Sequence, residues 1–132
     1  MKIQASEGDM AMIRQLQSRD AEVRAHEGAH LAAGGGVVTG GPHYTYQKGP
    51  DGRNYAVGGE VGIDASPVAG NPRATLLKMS TVRAAALAPA QPSAQDLSVA
   101  AEASQAEAQA RIEAYSKPDN TPEPGSLVNL LA

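Results

Sequence analysis

The chain has no cysteine, no phenylalanine and no tryptophan, and four tyrosines are its only large aromatic side chains. The first absence excludes disulfides and thiolate metal ligands and leaves the redox compartment open. The other two mean that a hydrophobic content of 42% overstates the core, because 25 of those residues are alanine. Each alanine buries little area, at roughly 25 cal/mol per Å², so a bound metal would supply an appreciable share of the folding free energy. No apolar run is long enough to span a membrane. No basic-then-apolar pattern lies within Met1 to Ala11, so no signal peptide is visible and a cytoplasmic location is the default expectation. Nor is there an excess of positive charge: the formal net charge of −3 argues against nucleic acid as a partner. At 132 residues the expectation is one domain over residues 1–117, followed by a Pro-containing tail over 118–132.

What is present is concentrated in His26-Glu27-Gly28-Ala29-His30, the His-Glu-x-x-His pattern of zinc metallopeptidases. From Asp9 to Ala33 there is no proline and Gly28 is the only glycine, so a helix is expected, capped by Asp9 and ended by Gly34-Gly35-Gly36. Residues four apart on a helix share a face, which lets His26 and His30 hold one ion and puts Glu27 beside its open position as a general base. Leu16, Val23, Glu27 and His30 fall on one helical stripe with His26 at its edge, so the histidines continue an apolar face. Two helical histidines also occur for packing or solubility alone, and the context must decide.

That context is a change of period. His43 to Lys48 and Arg53 to Val57 flank the turn cluster Gly49-Pro50-Asp51-Gly52, which predicts a β-hairpin. Its second strand runs on through Gly58 to Asp64, with Glu60 and Asp64 on one face. Two residues compete as a third metal ligand, His43 and Glu60; either donor type suits zinc. Tyr44, Tyr46 and Tyr55 are candidates to hydrogen-bond a developing oxyanion, Tyr55 foremost, although each serves equally as the large core residue of a hairpin. Asp64 is a candidate to orient a ligand histidine. The longer metzincin pattern is excluded, since Gly36 stands where it requires histidine.

The C-terminal half reads as scaffold. Asn71 is expected to cap a helix opened by Pro72, with Leu76, Met79, Val82 and Ala86 on one side, ending before Pro89. Ser93 and Asp96 resemble a capping box for a second helix reaching about Lys117, whose inner stripe is expected to be Leu97, Ala101, Ser104, Ala108, Ile112 and Tyr115. The closing Ser126 to Ala132 is apolar enough to dock, the cleft being one place for it.

Arg19 to Gly35, Tyr44 to Asp64 and Arg83 to Asp96 together resemble the SprA-related family of bacterial metallopeptidase-like proteins, in order and in spacing, over about residues 19 to 112. The resemblance implies a zinc-dependent, peptidase-like protein with Gly59-Glu60-Val61 as a family hallmark. It does not call for histidine at position 43, which favours Glu60. The expectation is therefore a small α+β zincin-like domain with zinc on His26, His30 and Glu60, Glu27 as general base, and a peptide or protein substrate. The rivals are a non-catalytic, metal-stabilised binding module and a helical interaction protein without metal.

Overall fold

A computed structural model describes residues 6–116. Its first helix, α1, spans Glu7–Gly34. The cap falls on Ser6 and not on Asp9: the Ser6 hydroxyl accepts from the Asp9 amide at 3.0 Å and the Asp9 carboxylate accepts from the Ser6 amide at 3.4 Å. This reciprocal pairing satisfies two otherwise orphaned helix-end donors, which Asp9 alone cannot do. Leu16, Val23, Glu27, His30 and Gly34 are the buried residues of α1, the stripe that its spacing predicts. The chain leaves the helix through a 3₁₀ turn, Gly35–Val37.

Strands β1 (His43–Lys48) and β2 (Asn54–Glu60) form the expected hairpin, antiparallel, with Tyr44 opposite Gly59 and Gln47 opposite Tyr55. A register shift between Thr45 and Tyr46 leaves Val57 as a bulge. The backbone around a bulge needs partners outside the ladder, and α1 supplies them. Asp20 Oδ1 accepts from the Ala56 amide at 2.8 Å, and Arg19 Nε donates to the Val57 carbonyl at 3.2 Å. The hairpin is thus tied to the helix two turns before the histidines. A further antiparallel bridge joins Val38 to Ile63 just beyond β2.

Two helices complete the described chain, α2 (Pro72–Ala86) and α3 (Ala94–Ser116). Asn71 caps α2 by accepting from the Ala74 amide at 3.0 Å, and Ser93 and Asp96 cap α3 as their spacing predicts. The core is small: Val37, Met79, Val82, Ala85 and Ala103 form its buried centre, with Ile63, Ala65, Val99 and Ala106 packed around it. The inner stripe expected for α3 is wrong. Leu97, Ile112 and Tyr115 are 55%, 60% and 85% exposed, and the buried face is Ala100, Ala103, Glu107 and Ala110. Close approach to α2 requires small side chains, so the alanine face turns inward and the bulky residues stay outside. Arg83 Nη1 pairs with Glu107 Oε2 at 3.3 Å across that contact. This α+β arrangement, three helices and a two-stranded antiparallel sheet among the described residues, agrees with the sequence expectation. No described helix is long and apolar enough to cross a membrane. The expected tail over 118–132 lies outside the described residues.

Two outcomes follow. Ile112→Gln should change stability by less than about 0.5 kcal/mol, whereas Ala103→Leu should destabilise by roughly 1–3 kcal/mol through overpacking; denaturant titration measures both. The Asp20 carboxyl is held below its usual range, chiefly by the Ala56 amide, with Arg24 assisting. A folded-state value below the unfolded one stabilises above the unfolded pKa of about 4 and is lost as pH falls through the folded value. Asp20→Ala should therefore unfold at lower denaturant than wild type at pH near 7, and the gap should narrow as the pH falls below about 4.

Candidate metal centre

His26, Glu27 and His30 stand on one side of α1 and offer ligand atoms that all lie within 4.8 Å of one another. His30 and Glu27 are only 3% and 4% exposed, so the stripe buries polar groups where a core helix would carry leucines. Such groups need compensation. For His30 part of it comes from α2: Nδ1 lies 2.8 Å from the Ala85 carbonyl. A carbonyl only accepts, so Nδ1 carries the hydrogen and Nε2 of the neutral ring is a bare lone pair. The Glu27 carboxylate, by contrast, makes no protein hydrogen bond among the described residues and opens on the cleft; among those residues the buried side-chain oxygen left without a partner is Glu107 Oε1. The two imidazoles meet edge to face, centroids 5.0 Å apart.

The residue that sequence reasoning missed is Asp96. Expected only as a helix cap, it reaches across from α3 so that Oδ2 lies 3.0 Å from His26 Nε2 and Oδ1 lies 3.2 Å from His30 Nε2. Its capping bonds persist, with the Ser93 amide donating to Oδ2 at 2.9 Å. Burial pushes the Asp96 carboxyl up, but the Ser93 amide and hydroxyl and the two imidazoles outweigh it and the net direction is down, toward the ionised form. The local signal, Ser93 and Asp96 three apart, is fully accounted for by capping. Nothing in it points to histidines on another helix.

The other expected site residues are distributed as follows. Glu60 is exposed at the end of β2 and lines the same cleft as His26, Glu27, His30 and Asp96, outside the group that converges within 4.8 Å. His43, also exposed, lines that cleft from β1. Tyr55 is buried against the hairpin turn, its hydroxyl donating to Asp51, and neither it nor Tyr44 nor Tyr46 lines the cleft. Tyr44 instead lies under the Arg24 guanidinium, 5.0 Å from its ring centroid. Asp64 bonds Ser66 and Lys78 and orients no histidine; those partners hold its carboxyl well below the usual range.

The cleft has a volume of about 1030 Å³, and Gly58 to Ile63 form one wall. That is the upper end for small-molecule pockets, roughly 300–1,000 Å³. Gly59 makes this wall close-fitting: a Cβ there would stand 3.0 Å from Glu27 Cγ and 3.0 Å from Tyr44 Cδ1. The absence of a side chain is what lets β2 lie directly on Glu27.

Fold and site together define a small α+β domain in which one long helix presents a His-Glu-His group to a cleft walled by the end of a hairpin. The chain belongs to the SprA-related family, whose model matches residues 1–118, a wider span than the motifs alone suggest. No curated protein and no solved structure matches it.

Gly59→Val should displace Glu27 or Tyr44 while leaving His26 and His30 in place. The expected outcome is altered chemical shifts at Glu27 or Tyr44 with those of His26 and His30 kept, read by isotope-edited NMR; unchanged resonances at both Glu27 and Tyr44 would contradict the packing described.

Proposed function

We propose that this chain is a zinc-dependent peptidase in which His26 and His30 hold the metal and Glu27 is the general base. The third protein ligand comes from the carboxylates lining the cleft, Glu60 or Asp96. The observation that carries this reading is the convergence of His26, Glu27 and His30 ligand atoms within 4.8 Å on the cleft, with the Ala85 carbonyl holding His30 Nδ1 so that the neutral ring turns the Nε2 lone pair to the site. Imidazole lone pairs and a carboxylate brought to one point repel one another, and a divalent cation with its water would offset that repulsion. Two nitrogen donors with carboxylate oxygens suit zinc and leave a coordination position for water. Zinc held there would act as a Lewis acid and lower the pKa of its water from about 15.7 to about 7.

The chain's own groups perform the remaining work. Ala85 fixes the His30 tautomer and ring plane through Nδ1. Glu27 takes the proton from the attacking water and returns it to the leaving amine. The Gly58 to Ile63 wall offers backbone groups and little side-chain bulk, a surface on which an extended peptide can lie.

A binding-module reading, metal-stabilised but non-catalytic, is favoured by one observation: no tyrosine lines the cleft, so the expected oxyanion donor is missing. Glu27→Gln separates the two. The amide preserves size but cannot accept a proton, so the variant should keep zinc and its melting temperature while losing roughly 10²–10⁴-fold in turnover of a peptide library. Zinc-loaded protein that cleaves nothing, or cleaves equally well as Glu27→Gln, would transfer the assignment to the binding module.

A further inference from the structure

The geometry points to Asp96, and not Glu60, as the third protein ligand of the metal. The inference rests on the metal-dependent reading above and completes its ligand set.

Three observations carry it. First, Asp96 approaches both imidazoles at close to ligand–ligand spacing, from just outside the His26, Glu27 and His30 group whose atoms converge within 4.8 Å. Metal–ligand bonds of about 2.0–2.1 Å at tetrahedral angles separate neighbouring ligand atoms by roughly 3.3 Å. Asp96 oxygens stand 3.0 Å and 3.2 Å from the two Nε2 atoms.

Second, the contact with His30 joins two acceptors whenever that ring is neutral. Its Nδ1 hydrogen is committed to the Ala85 carbonyl, so a neutral His30 turns a lone pair on an ionised carboxylate. A proton on Nε2 or a cation between them makes that arrangement favourable. A proton on His30 serves this contact alone, whereas a divalent ion also meets the Glu27 carboxylate, whose ligand atom lies within 4.8 Å of those of both histidines.

Third, Asp96 is held as ligating carboxylates are. The Ser93 amide bonds Oδ2, the first turn of α3 anchors its backbone, and its side chain is only 15% exposed. Glu60 has no such support at the exposed end of β2.

The absence of native cysteine allows a direct test with cobalt(II) in place of zinc. In the full chain, Asp96→Cys introduces the only thiol, and a thiolate bound to cobalt gives a ligand-to-metal charge-transfer band. The band should appear with Asp96→Cys and not with Glu60→Cys. Independently, Asp96→Asn should weaken zinc binding by at least about 100-fold, beyond the 10–100-fold typical of groups that only support a ligand. Glu60→Gln should weaken it by no more than about 3-fold, within the range expected of an exposed carboxylate. Circular dichroism confirms folding in each variant. If wild type binds cobalt but Asp96→Cys, correctly folded, gives no band, or if Glu60→Gln loses the metal and Asp96→Asn keeps it, the assignment to Asp96 is overturned alone. If wild type binds neither zinc nor cobalt, the metal-dependent reading falls with it.

Discussion

A carboxylate from one helix faces two imidazoles from another, with a second carboxylate alongside on the cleft, and the fold is organised around that concentration of ionisable groups. Asp96 meets both histidines, Ala85 fixes the hydrogen of one of them, and Glu27 lies under Gly59. In a chain whose buried centre consists of Val37, Met79, Val82 and two alanines, such a group is neither diluted by a large apolar core nor shielded by aromatic rings. Each secondary element contributes one part of it: α1 the histidines and glutamate, β2 a side-chain-free wall, α2 a carbonyl, α3 a capped carboxylate.

Local signals in the sequence were sufficient for most of the frame. The turn cluster at Gly49 to Gly52, the Asn71-Pro72 start of α2 and the Ser93–Asp96 box each act within a few residues, and each appears where its chemistry places it. The buried stripe of α1 was legible because Leu16 and Val23 set its phase. On α3 the same logic failed: with alanine on every side, Leu97 and Ile112 looked like the inner face, whereas close packing on α2 selects the face with nothing larger than alanine apart from Glu107. Period identifies a face only when side chains differ in size.

The site was legible in its helical half and not in its completion. His26, Glu27 and His30 are adjacent in sequence, so their convergence follows from helix geometry alone. Asp96 is separated from His26 by 70 positions and already has a local explanation as a cap, so its second role leaves no trace in the pattern. Tyr55 shows the converse: an aromatic next to a motif invites a catalytic role, but its hydroxyl is bound within its own turn and its ring supports the hairpin.

The link between positions 26 and 96 also has a topological meaning. It closes a loop of 70 residues that contains the whole hairpin and α2. In polymer terms, a contact made only on folding must close that loop itself, whereas a disulfide of the same span would already have removed the closure entropy from the unfolded chain, roughly 4 kcal/mol at room temperature. A cysteine-free chain has no covalent link across this span, so the contact is made and lost together with the fold.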